Sequence, residues 1–178
     1  MTGIPPSIER RAAAWEIRAA GRGLTGYIAT FNTPAKIGRA EEVIRPGAFA
    51  ASLRSGADIL ALVDHDPSRV LGRTKSGTLR LAEDATGLRF DLDLPDTTAA
   101  SDVLALATRG DIGGASFGFR VPRGGDRWTG ERRELLNVEL VEVSIVNAHP
   151  AYAGTSITVR SRHGLSPAEI RRELDWIL

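Results

Sequence analysis

The chain has 178 residues, 42% of them hydrophobic and 25% charged, values ordinary for a folded globular protein, so a disordered, collagen-like or coiled-coil chain is excluded. Lys and Arg number 23 against 22 Asp and Glu, a net charge of +1 with the signs interspersed, which leaves no broad basic face for nucleic acid or an anionic membrane. Cysteine is absent, which rules out disulfides, thiol nucleophiles and thiolate metal sites; any nucleophile must be an oxygen or an amine.

The segment "WEIRA" and the segment "LTGYIATF" alternate apolar and polar residues around Gly21 and Gly23 and predict an opening β-hairpin. "NTPAKIGRAEEVI" predicts a loop and a short strand. In "RPGAFAASLRSG", Pro46 marks a helix start and Gly56 its end. "ADILALVDHDP" reads as a buried strand stopped by Asp66-Pro67. "RVLGRT", "GTLRLAED" and "GLRFDLDLP" follow with turn signals at Ser76-Gly77 and Thr86-Gly87, predicting an antiparallel meander. "DTTAASDVLALATRG" has N-cap candidates in Asp96 and Thr97 and a C-cap in Gly110, which makes a helix. A polar loop is expected from Pro122 to Gly130, and Arg132 and Arg133, flanked by Glu131 and Glu134, read as a solvated, charge-cancelled loop.

"ELLNVELVEVSIVN" is the strongest strand signal of the chain, and "TSITVR" a further short strand. In "SPAEIRRELDWIL", Ser166, Pro167 and Glu169 form a capping box, and Ile170, Leu174, Ile177 and Leu178 an apolar stripe suited to packing on the body or on a second subunit. A single domain over residues 1–178 is expected, with its core at about 24–160 and a C-terminal helix at about 167–177. The longest apolar runs, such as Ile59 to Val63, fall well short of the roughly 20 residues that span a bilayer, and a soluble intracellular product is expected.

The stretch "RGDIGGASFGFRV" places Ser116 between Gly114 and Gly118. Strand alternation puts Ala115, Phe117, Phe119 and Val121 on one face and Ser116, Gly118 and Arg120 on the other, an anchoring aromatic face and an open small one. Ser116 is either a small residue filling a tight sheet position or a nucleophile with room around it; Gly118 would give that room to a peptide lying across the strand. The Gly-x-Ser-x-Gly pattern of an α/β-hydrolase elbow is matched in letters but not in context, since a helix precedes it and strand residues follow.

A serine hydroxyl needs a general base, and the chain offers His65, His149 and His163. His163 lies in the polar "RSRHG", His149 precedes Pro150, and His65 ends a buried strand, where it is either a turn residue or a base lining a site. The base needs an acceptor for its other ring nitrogen. Glu142 shares a face with Val138, Leu140, Ser144 and Val146, a carboxylate among apolar residues that must be paired, either with an arginine or with His65. Asp64 and Asp66 are the sequence-adjacent rivals, and the scattered histidines show no metal-binding spacing.

The blocks "FNTPAKIGRAEEVIRPGAFAASL", "DILALVDHDPSRVLGRTKSGTLRLAEDATGLRFDLDLPDT", "GDIGGASFGFRV" and "NVELVEVSIVNAHPAYAGT", from about Gly26 to Thr155, together resemble the prohead maturation proteases of tailed bacteriophages and prophages. The resemblance implies an α+β protein with a mostly antiparallel β core or barrel and a few flanking helices, similar to the herpesvirus assemblins. It implies a serine endopeptidase without metal or cofactor that cleaves the scaffolding segment of the major capsid protein, and often itself, inside the assembling procapsid in the host cytoplasm. The implied partners are the capsid protein and a second copy of the chain, with no nucleic acid and no membrane. Carried over, the family's "HD" histidine falls on His65 and its "SFGF" serine on Ser116, while comparison with the assemblins points to Glu142 as the third member. Backbone amides of Gly113 and Gly114, or Asn147, are the candidate oxyanion donors. The rivals are a small α/β-hydrolase esterase, which requires a parallel sheet and a base after Ser116, and a catalytically silent structural β protein of a phage particle.

Overall fold

The computed structural model describes residues 7–13, 18–20 and 22–147. In chain order these form β1 (Glu9–Ala13), β2 (Arg18–Ala20), β3 (Gly23–Thr30), β4 (Ala35–Ile37), β5 (Ala40–Ile44), α1 (Ala50–Arg54), β6 (Leu60–Val63) and β7 (Asp66–Arg73). There follow β8 (Leu79–Glu83), β9 (Gly87–Asp93), α2 (Thr98–Arg109), β10 (Gly114–Arg120), β11 (Asp126–Thr129), β12 (Arg132–Leu135) and β13 (Glu139–Val146). His149, His163, the "TSITVR" strand and the C-terminal helix lie outside the described residues.

The strands form three sheets, ordered β1-β10-β13-β6-β7, β11-β12-β5-β4 and β2-β3-β9-β8. Pairing is antiparallel except between β13 and β6 and between β12 and β5. The expected antiparallel β core with flanking helices is present; the expected barrel is not, because closure needs one continuous ladder and here each sheet ends in two edge strands. The meander also divides: β7 pairs with β6 in the first sheet, whereas β8 pairs with β9 in the third. Among the described residues no helix is long and apolar enough to cross a membrane.

Several local expectations are corrected. The first helix begins at Ala50 rather than Pro46, since Gly47 at φ 88° turns the chain through a left-handed residue before it. Asp66-Pro67 opens β7 instead of stopping β6, a position proline tolerates because β7 is an edge strand. The loop from Pro122 to Gly130 contains β11, and the long strand signal resolves into β12 and β13. The α2 ends are as read: Thr97 accepts from the Ala100 N–H, and Gly110 caps at φ 80°.

Aromatic packing anchors β10. Phe117 and Phe119 are stacked at 5.1 Å between centroids, and Phe49 meets Phe117 edge-on at 5.5 Å. All three are buried, each burial stabilising by about 1.5–3 kcal/mol, which fixes the strand whose opposite face carries Ser116.

Candidate active site

Three adjacent strands of the first sheet bring the chemistry together. Residues directly opposed in a ladder share a face, so the rows Ala12, Ser116, Ser144, Leu62 and Arg10, Gly118, Glu142, Leu60 lie side by side on one face. Alternation along β10 therefore does what the sequence suggests, aiming the phenylalanines into the core and Ser116 toward Glu142's side of the sheet.

His65 joins this face through a strained turn. Val63 pairs with Asp66, leaving Asp64 and His65 as a two-residue hairpin loop with φ of 50° and 61°. Positive φ at both central residues is the requirement of a type I′ turn, which glycine or asparagine usually meets; aspartate and histidine tolerate it at a cost. That cost is offset by fixing the turn from outside: Asn147 donates to Asp64 through its backbone N–H at 2.9 Å and through Nδ2 at 2.8 Å. The turn folds the imidazole back over the sheet, where Nδ1 lies 2.6 Å from Glu142 Oε1.

Glu142 is buried, with four neighbours on its carboxylate. His65 Nδ1 meets Oε1, Ser144 Oγ donates to Oε2 at 2.7 Å, and the same Oγ is 3.3 Å from His65 Nδ1. Arg10 Nε, a buried donor without a hydrogen bond, stands 3.6 Å from Oε1. Beneath lies Gly118, where a Cβ would come within 2.5 Å of Oε1. The space opened by Gly118 is thus filled by the Glu142 carboxylate, not held free for a peptide backbone as the sequence suggested.

Ser116 is 1% exposed and donates its hydroxyl proton to the Arg11 carbonyl at 2.8 Å. Among the described residues, His65 Nε2 has no hydrogen-bond partner, so the ring presents a bound nitrogen to Glu142 and an unengaged one. For Ser116 to act as a nucleophile, its hydroxyl would have to give up the Arg11 carbonyl for a general base. The rival acceptors are committed elsewhere: Asp64 to Asn147, and Asp66 to the Ser68 N–H and Oγ. The Gly113 N–H donates to the Val146 carbonyl at 2.9 Å and both Asn147 donors serve Asp64, so neither is available as an oxyanion donor in this conformation.

Behind the site, the other face of β1 carries Glu9 and Arg11 into a buried ionic cluster. Arg11 grips Glu42 bidentately at 2.6 and 2.8 Å and reaches Glu9 at 2.8 Å, while Arg133 binds Glu9 at 2.5 and 2.8 Å, Glu42 at 3.1 Å and Asp126 at 2.9 Å. Burial pushes the Glu9 carboxyl up, but the hydrogen bonds and charges of Arg133 and Arg11 outweigh it and hold the group below its ordinary value of 4.5. The reading of Arg132 and Arg133 as a solvated loop is therefore wrong for Arg133. Its partners are not the flanking glutamates but Asp126 on the neighbouring strand and Glu9 and Glu42, about ninety or more positions upstream, and Glu134 pairs with Arg45 and Arg127.

The sequence brings His65, Ser116 and Glu142 to notice, assigns no role to Ser144 or Arg10, and offers Asn147 only as an oxyanion donor, whereas both of its donors hold the Asp64 turn. Ser144 could have been found, since strand alternation puts it on the Glu142 face. Arg10 gave no local signal, and Asn147 none for its hold on Asp64, because these relations exist only across strands.

A mostly β protein that sets a serine, a histidine and a carboxylate on one sheet face fits the serine protease class. The family model of the caudovirus prohead serine proteases matches residues 8–167, and the chain belongs to that family: it is a phage serine protease of capsid maturation. No curated protein matches the chain. Among solved structures, the bacteriophage T4 capsid assembly protease gp21 shares the fold, with a TM-score of 0.59 and 9% identity over 80% of this chain and 99% of that one. The esterase reading fails on the fold, since β10 lies between antiparallel neighbours where an α/β-hydrolase elbow requires a parallel sheet.

Proposed function

We propose that Ser116, His65 and Glu142 are the catalytic triad of an endopeptidase that removes the scaffolding segment of the major capsid protein, and processes itself, inside the procapsid. The observation that carries this reading is the 2.6 Å pairing of His65 Nδ1 with buried Glu142 on the face that bears Ser116. In the reaction, Ser116 Oγ attacks the scissile carbonyl carbon as His65 Nε2 takes its proton; the C–N bond breaks as the imidazolium returns that proton to the leaving amine. Water, deprotonated by the same nitrogen, then hydrolyses the acyl-enzyme. Glu142 keeps the ring oriented and stabilises its charged form. The family match supports the protease chemistry, and the resemblance of the sequence blocks supports the capsid substrate.

The test is co-expression with the major capsid protein encoded alongside, read by intact mass. Wild type should shorten the capsid protein at one discrete site; Ser116→Ala and His65→Ala should leave it intact, and Glu142→Gln should slow cleavage about 10⁴-fold, the scale of losing the carboxylate in such a triad. Cleavage by Ser116→Ala at the wild-type rate would overturn the assignment. A fluorophosphonate probe should label Ser116 alone; modification of Ser144 instead would make the latter the nucleophile.

A further inference from the structure

We propose that Ser144 is a positioning residue that sets the tautomer of His65, an inference that rests on reading His65 and Glu142 as base and orienting carboxylate. Ser144 follows Glu142 by two residues on β13, so both side chains share a face, and the register places it between Ser116 of β10 and Leu62 of β6. It is 1% exposed.

A serine hydroxyl has one proton to give and lone pairs to receive with. Ser144 gives its proton to Glu142 Oε2 at 2.7 Å, so toward His65 Nδ1, 3.3 Å away, it turns lone pairs. Nδ1 therefore faces two acceptors, Glu142 Oε1 and Ser144 Oγ, and no donor. A neutral imidazole with its proton on Nε2 would set its bare Nδ1 lone pair against both. The proton is consequently held on Nδ1, leaving Nε2 as the acceptor that Ser116 requires. The same hydroxyl holds the carboxylate itself, whose terminal torsion is otherwise soft, with Oε1 aimed at the ring. Alanine at this position would fill the strand equally well and do neither.

The test uses the full chain and two readouts. Ser144→Ala should lower kcat for capsid-protein cleavage about 10- to 100-fold with KM within two-fold, the scale of losing an outer hydrogen bond to a catalytic ligand. Ser144→Thr, which retains the hydroxyl, should recover most of that loss. Nitrogen-15 spectra of the imidazole should show His65 as the Nδ1–H tautomer in wild type and in Ser116→Ala, and as a mixture in Ser144→Ala. An unchanged kcat together with an unchanged tautomer in Ser144→Ala overturns the proposal, as does an Nε2–H tautomer in wild type even if Ser144→Ala fails to fold. Should His65→Ala cleave normally, the triad reading fails first, and the catalytic role of Ser144 falls with it whatever the spectra show.

Discussion

Gly118 faces Glu142 directly across the β10–β13 ladder, and its missing Cβ decides where the carboxylate lies. In Gly118→Ala the new methyl would stand 2.5 Å from Oε1, 3.1 Å from Cδ and 3.2 Å from Cγ. A flexible carboxylate end could ordinarily yield, but Oε1 is engaged by His65 and Oε2 by Ser144, so yielding means breaking one of those bonds. Displacement of a catalytic group by about 1 Å costs on the order of 10²-fold in rate. The expected result for Gly118→Ala is a folded protein, by circular dichroism, whose kcat/KM for the capsid protein falls about 100-fold. Equal rates would mean that Glu142 does not depend on this space. The sequence marked Gly118 as important through its strand context, but only the cross-strand neighbour shows that the space belongs to a side chain of the protein.

The element that ties the site to the rest of the molecule is β1, whose two faces do different work. Arg10 stands by Glu142, while Glu9 and Arg11 enter the ionic cluster with Glu42 and Arg133. Removing one partner of such a buried set leaves uncompensated charge and costs about 3–5 kcal/mol. Glu9 titrates below its ordinary value in the folded protein, so its contribution is present above the unfolded carboxyl range near 4.5 and is lost as pH falls through the lower folded value. Urea denaturation should therefore show Glu9→Gln less stable than wild type by about 3 kcal/mol at pH 7. The gap should close as pH drops below 4.5 toward the folded pKa. A gap that stays constant with pH would place the Glu9 effect in packing rather than charge. No sequence pattern announced this cluster, because Arg11, Glu42 and Arg133 meet only after three separate strands have been placed.

In the whole molecule, β10, β13 and β6 are the strands flanked on both sides within the site sheet, and most residues of the two longer ones, β10 and β13, are buried. Global opening is then the route by which their amides exchange, whereas edge strands open locally. Hydrogen exchange read by mass spectrometry should find β10 and β13 slowest and β4 and β11 among the fastest; fast exchange in β10 would mean that Ser116 sits in a labile element. The sequence by itself determined the helix caps at Thr97 and Gly110 and the alternation that aims Phe117 and Phe119 inward, and it singled out His65, Ser116 and Glu142 as candidates. These are legible because backbone periodicity and capping act over a few neighbouring residues, and because ordered motif blocks mark a family. The tertiary structure alone decided that three open sheets form in place of a barrel, that the hairpin bends at Asp64 and His65, and that Glu42 and Arg133 are buried partners. It alone placed Ser144 and Arg10 at the carboxylate. Strand partnership, register and the pairing of buried charges are set by contacts between residues far apart in the chain, and local sequence does not encode which of many arginines or strands will meet.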